Sequence, residues 1–156
     1  MPMSDSSSSF TSPSEELPGP PLIGALLRAP LEVVRRHMLE RLHEHGFTDL
    51  EPAHLNVLQY PGPQGLRPSE LAARLRISKQ ALNYLLGQLE GLGYLERQAD
   101  PDDLRSKRIA LTQRGASIVP VIRDAVAEVE AAWTEQLGAR RFAELRDLLL
   151  ELNQPT

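Results

Sequence analysis

The 156-residue chain has no cysteine, which excludes disulfides, thiolate zinc sites and any cysteine redox switch. Aromatic residues are scarce at 4%, so the core must be built from Leu, Val, Ile and Ala, and a hydrophobic content of 41% supplies enough of them. No apolar run approaches the roughly 20 residues that span a bilayer, and the N-terminus lacks a basic-then-apolar leader, so a soluble, cytoplasmic protein with no membrane partner is expected. Phosphate-loop, dinucleotide-loop, His-Glu-x-x-His and Gly-x-Ser-x-Gly patterns are all missing. No enzyme activity and no cofactor are therefore expected. The histidines are His37, His43, His45 and His54. His43 and His45 stand two apart on a helix and do not share a face, so no metal site is expected.

Charge is segregated beneath a net value of -4. Residues 67–114 carry 9 basic and 6 acidic side chains, whereas residues 1–66 carry 4 and 8 and residues 115–156 carry 4 and 7. A basic middle between acidic flanks suits a DNA-facing lobe on a scaffold that does not touch DNA, although an ordinary solvated surface has the same balance.

Residues 1–21 contain a serine run and five of the thirteen prolines, too polar to offset the entropy of ordering, and read as a flexible tail. Apolar positions 23, 27, 31, 34, 38 and 42 then step by three or four, one stripe of an amphipathic helix ended by Gly46. Pro30 falls inside it and predicts either a kink near Ala29 or two short pieces. A second helix opens at Pro52 and runs to Tyr60, and residues 61–65 (Pro-Gly-Pro-Gln-Gly) read as a turn.

Residues 68–89 carry helical apolar spacing interrupted once, at Arg76-Ile77-Ser78, where Ser78 is suited to cap a new helix. This is helix-turn-helix spacing. In the second helix Leu82, Leu85, Leu86, Leu89 and Leu92 form a buried face, leaving Gln80, Asn83, Tyr84, Gly87 and Gln88 outward with Lys79 on the flank. Only the first two turns of such a helix reach base edges, which singles out Lys79, Gln80, Asn83 and Tyr84. Gln and Asn pair with adenine, and Lys favours guanine or phosphate. A solvated face is the default for an isolated helix of this kind. The following segment changes that balance: Tyr94–Gln98 and Lys107–Thr112 read as strands around a turn at Ala99–Asp103. The hairpin tip places Arg105 where it can enter a narrow minor groove, Asp103 where it can hold that guanidinium, and Lys107 and Arg108 where they can meet phosphates. Beyond the hairpin, Thr112 caps a long helix with apolar positions 115, 119, 122, 126, 129, 133 and 137, bent by Pro120. Gly138 ends it, and a final helix carries Phe142, Leu145, Leu148, Leu149 and Leu152 on one side.

The order of these elements, with Gly93-Tyr-Leu-Glu-Arg97, Asp100-Pro-Asp-Asp-Leu-Arg105 and Leu111-Thr-Gln-Arg-Gly115, resembles the MarR family of winged-helix transcription factors over residues 22–153. The resemblance implies a mainly α fold with a small β-hairpin wing. Its divisions are a tail (1–21), an N-terminal dimerisation helix region (22–48), a winged helix-turn-helix DNA-binding lobe (49–112) and C-terminal linker and dimerisation helices (113–156). It also implies a homodimeric repressor on a pseudo-palindromic double-stranded DNA site, released by a small aromatic or acidic effector. Ser78, Lys79, Gln80, Asn83 and Tyr84 fall on its recognition helix, Arg105 in the minor groove, and Asp103 beside it as orienting residue. Four positions depart from the pattern: Leu104, Tyr84 and Gln88 stand where arginine is common, and Arg76 replaces a usual glycine. A left-handed backbone at Arg76 would cost about 1–2 kcal/mol. The arginine-poor reading helix leaves a second expectation open, a winged helix used to bind protein without specific DNA recognition.

Overall fold

The computed structural model describes residues 19–60 and 65–154. The tail over 1–18 and most of the turn at 61–64 lie outside the described residues. The elements are α1 (Ile23–Glu44), α2 (Pro52–Leu58), α3 (Pro68–Leu75), α4 (Lys79–Gly91), β1 (Leu95–Ala99), β2 (Lys107–Leu111), α5 (Gln113–Leu137) and α6 (Ala139–Leu152). This is a winged helix-turn-helix flanked by long helices. Among the described residues no helix is long and apolar enough to cross a membrane.

Both internal prolines are carried within continuous helices, Pro30 in α1 and Pro120 in α5. The two-piece arrangement expected around Pro30 is not adopted. Each proline sits at an exposed position, where water can take up the carbonyl that loses its helical donor. Helix ends follow one device repeated three times. After α1, Gly46 is left-handed (φ 88°), and the amide of Phe47 reaches back to the Leu42 carbonyl at 2.9 Å. After α4, Gly93 (φ 84°) does the same, with Tyr94 N–H on the Leu89 carbonyl at 3.0 Å. After α3 the left-handed residue is Arg76 (φ 53°), and Ile77 N–H meets the Ala72 carbonyl at 3.2 Å. These are Schellman closures. Arg76 is the only non-glycine with positive φ among the described residues.

One core joins the reading lobe to the long helices. Leu71 of α3, Leu82, Leu86 and Leu89 of α4, Ile109 of β2 and Leu55 of α2 are fully buried, and so are Leu42 of α1 and Ile118 of α5. Each such aliphatic side chain contributes about 1.5–3 kcal/mol of transfer free energy. The buried stripe of α5 runs through Gly115, Ile118, Ile122, Ala125 and Val129, one step around the helix from the expected one, and leaves Val119 and Val126 only half-buried. Gly115 has no room for a side chain: a Cβ there would lie 2.0 Å from the Tyr94 carbonyl oxygen. Thr112 caps α5 by accepting from Gly115 N–H at 3.0 Å, while its hydroxyl donates to the Gly93 carbonyl at 2.5 Å. The Leu-Thr-x-x-Gly segment is thus the close crossing of α5 over the end of α4.

The hairpin pairs Leu95 with Leu111 through Ala99 with Lys107, antiparallel. Leu66 adds an isolated antiparallel bridge to β2 by exchanging backbone hydrogen bonds with Ile109 at 3.0 and 2.6 Å. The apolar stripes of the terminal helices are different in kind. Ile23, Leu27 and Leu31 of α1 remain 70%, 49% and 45% exposed, and α6 has no buried residue.

The left-handed backbone at Arg76 yields a stability prediction. Arg76 is exposed, so Arg76→Gly removes strain and little else; its gain is partly offset by the extra freedom of glycine in the unfolded chain. The expected result at fixed protein concentration is a higher urea midpoint with an unchanged slope, worth up to about 1 kcal/mol. A lower midpoint would show that the Arg76 side chain stabilises the fold.

Candidate nucleic-acid interface

Helix α4 is built as a two-faced element. Ser78 caps it, its hydroxyl oxygen accepting from Ala81 N–H at 3.1 Å. With Leu82, Leu86 and Leu89 in the core, Lys79, Gln80, Asn83 and Tyr84 are exposed, Tyr84 by 68%. Gln88, expected to point outward with them, is half-buried instead. Its side chain lies between the His54 ring, at 2.9 Å, and the Tyr84 hydroxyl, at 3.1 Å. A long flexible amide on the boundary of a helix face gains more from two hydrogen bonds than from solvent.

The tip of the hairpin is shaped by two aspartates. Asp103 accepts from the backbone N–H of Arg105 at 3.0 Å and from the Ser106 hydroxyl at 3.1 Å. The expected grip of Asp103 on the Arg105 guanidinium is not seen among the described residues. A short carboxylate two residues upstream reaches the main chain first, forming an Asx turn, and so fixes the loop and not the side chain. Arg105, Lys107 and Leu104 are exposed, Leu104 by 86%.

Arg108 departs from its expected place as well. It is half-buried, with Nε 3.1 Å from Asp100 Oδ1 in an ion pair not aligned as a hydrogen bond, and Nη2 3.4 Å from Asp102 Oδ2. Two of its nitrogens are thus engaged by carboxylates of the wing. Asp100 is the centre of this cluster and is fully buried. Its Oδ1 accepts from Asp102 N–H at 3.0 Å, and its Oδ2 from Arg67 Nε at 2.6 Å. These contacts, the Asp102 amide first and then the two guanidinium groups, outweigh burial and hold its carboxyl down at about 2. Arg67 is the residue preceding α3, so one carboxylate links the helix-turn-helix to the wing.

A second polar centre lies where α4 ends. Tyr94 is fully buried, donates to Asp49 at 2.5 Å, and carries the Arg114 guanidinium 4.2 Å from its ring centre. Arg114 also pairs with Asp49 at 3.1 Å and donates to the Leu92 carbonyl. Burial, aided by Asp49, pushes the Tyr94 phenol far above its ordinary range. Burial alone would raise Asp49, but the bonds from Tyr94 and Arg114 prevail and lower it. This centre ties the start of α5 to the end of α4 and the loop before α2. Residues of α2, β2, α5 and α6, with those just after α2, line an open cavity of about 760 Å³, among them Leu58, Tyr60, Val119, Val126, Arg123 and Arg146.

Pattern reading treated Asp100 as turn chemistry and did not find Arg67, Asp49, Arg114 or the His54–Gln88 contact. Their partners lie beyond any local periodicity: Arg67 and Asp100 are 33 positions apart, His54 and Gln88 34, and Arg114 and Asp49 65. Among the described residues no cluster of metal-ligating side chains occurs.

Comparisons with known proteins agree with this architecture. The model of the MarR family matches residues 45–106. YkoM of Bacillus subtilis, an HTH-type transcriptional regulator itself uncharacterised, is 37% identical over 82 residues; the match covers 53% of this chain and about half, 52%, of that protein. Among solved structures, CouR from Rhodococcus jostii RHA1 bound to p-coumaroyl-CoA superposes with a TM-score of 0.70 at 25% identity, covering 86% of this chain and 93% of that one. Wild-type MarR from E. coli in its apo form gives a TM-score of 0.64 at 26% identity, covering 86% and 98%.

The depressed Asp100 carboxyl sets a pH window. Its folded value of about 2 lies below the ordinary aspartate value near 3.9, so its stabilisation is complete above about pH 4 and is lost as pH falls toward 2. Asp100→Asn should be less stable than the native chain at pH 7, and the gap should close between about pH 4 and 2 in urea titrations. An equal gap at both ends of that window would contradict the ion-pair role.

Proposed function

We propose that this chain, which belongs to the MarR family, is a cytoplasmic homodimer that binds double-stranded DNA sequence-specifically and represses transcription. The observation that carries the proposal is the pairing of two presented surfaces on one core. Helix α4 buries its leucines and exposes Lys79, Gln80, Asn83 and Tyr84, while the wing, fixed at its base by Asp100, exposes Arg105 and Lys107. The helix suits a major groove and the arginine a minor groove. Ser78 contributes as the cap that starts the helix, and Asp103 by shaping the tip. Lys107 supplies phosphate affinity; Arg108 serves the wing base.

Dimerisation is the reading that best accounts for the terminal helices. Ile23, Leu26, Leu27 and Leu31 of α1 and Leu145, Leu148, Leu149 and Leu152 of α6 are all exposed, and apolar stripes of this length on long helices need a cover. A second copy across a two-fold axis supplies it. The α2–α5–α6 cavity suits an effector with an apolar ring and an acidic group: its walls are largely aliphatic, and Arg123 offers a cation, whereas Arg146 is already paired with Glu130 at 2.8 Å. The p-coumaroyl-CoA held by the CouR neighbour is a ligand of that general kind. An effector there releases DNA only if it binds the incompetent spacing of the two lobes better than the competent one.

Binding to a labelled duplex from the region upstream of its own gene tests the proposal. Affinity should fall steeply and log-linearly with salt, and Arg105→Ala should weaken it on the order of tenfold. Unchanged binding after Arg105→Ala would remove the wing from the interface. Light scattering of the purified protein should give twice the 17.3 kDa chain mass, and a stable monomer would contradict the dimer.

A further inference from the structure

Tyr84 stands on the second turn of α4, largely exposed, and its hydroxyl is connected through three further groups to the interior. The connection has a direction. The main-chain N–H of Glu51, at the start of α2, donates to His54 Nδ1 at 3.0 Å. A donor at that nitrogen requires its lone pair, so the neutral ring carries hydrogen on Nε2. Nε2 lies 2.9 Å from Gln88 Oε1 and donates to it. The Gln88 amide orientation is thereby settled by its partner: oxygen toward His54, nitrogen toward Tyr84. That nitrogen donates to the Tyr84 hydroxyl oxygen at 3.1 Å.

We infer that His54 and Gln88 are positioning residues of the DNA-reading surface, which turn the Tyr84 hydroxyl hydrogen outward so that Tyr84 donates to an acceptor on the DNA. This inference rests on the DNA-binding function proposed above. With its oxygen already accepting from Gln88, the hydroxyl has its own hydrogen left, and no acceptor for it exists among the described residues. His54 is 3% exposed and held by the start of α2, so the far end of the chain does not move with solvent. Tyr84 thus differs from Gln80 and Asn83, whose amides present donor and acceptor alike. A fixed donor in the major groove matches guanine O6 or N7, thymine O4, adenine N7 or a phosphate oxygen, and rejects the cytosine amino group. It also explains how a helix poor in arginine still presents an oriented polar group.

The test is a double-mutant cycle in full-length protein, with affinity measured by fluorescence anisotropy on the upstream duplex and on a scrambled duplex. Tyr84→Phe should weaken binding about three- to tenfold, the scale of one net hydrogen bond. Gln88→Met should cost a similar factor alone and nothing further in the Tyr84→Phe background. Loss on both duplexes identifies a phosphate oxygen as acceptor, and loss on the upstream duplex alone identifies a base edge; either supports the inference. Equal losses from Gln88→Met in both backgrounds would make it a packing residue and overturn the positioning role. Tyr84→Phe removes one exposed oxygen and folds regardless, so its unchanged affinity would overturn the inference even if Gln88→Met proves unstable. Should the native protein bind neither duplex, the DNA-binding function itself fails, whereas unchanged binding after Arg105→Ala removes only the wing from the interface. Arg105 dependence without Tyr84 dependence removes only the inference.

Discussion

The presented surfaces of this molecule depend on a single buried carboxylate. Asp100 accepts from the tip backbone, from the residue that opens α3 and, as an ion pair, from β2. An unpaired carboxylate there would be very costly, and three partners arriving from three segments make the burial favourable only when all three segments are in place. The consequence is a hairpin of two five-residue strands that does not swing freely on the lobe. Such a hairpin is otherwise marginal. Leu66 adds backbone pairing on the same side, and Asp103 then needs only to tighten the tip.

The same logic extends inward through Tyr94. Its phenol, the Asp49 carboxylate and the Arg114 guanidinium lock the start of α5 against the end of α4, and Gly115 removes the one side chain that would hold those segments apart. In the proposed mechanism these contacts couple a displacement of α5 to the reading helix. The cavity borders α5, β2 and α2 together. In the proposed mechanism this shared border is what lets a ligand with unequal affinity for two lobe spacings alter DNA binding.

What was legible in the sequence was what local chemistry decides. The Ser78 cap, the leucine face of α4, the glycine closures and the hairpin follow from spacing and turn residues, and the structure realises each within a residue or two. The left-handed backbone at Arg76 was suggested only by the resemblance, which commonly has glycine at that turn position. Long-range polar pairing was not readable. Asp100 shares its sequence neighbourhood with Asp102 and Asp103, and only packing decides that the first is buried between Arg67 and Arg108 while the third bonds its own backbone. Gln88 was placed outward because a helical wheel has no knowledge of His54, 34 positions away. The α5 stripe was offset for a similar reason: a helix packed on two sides carries apolar residues over a wide arc, and periodicity alone does not choose its centre.

The central claim is that two copies of this lobe present two reading helices at a fixed separation. Selection of bound fragments from genomic DNA by the full-length protein, followed by sequencing, measures this directly. The account predicts enrichment of a pseudo-palindrome whose half-sites are centred about 10 base pairs apart. Enrichment of an isolated half-site, or of no sequence at all, would contradict it.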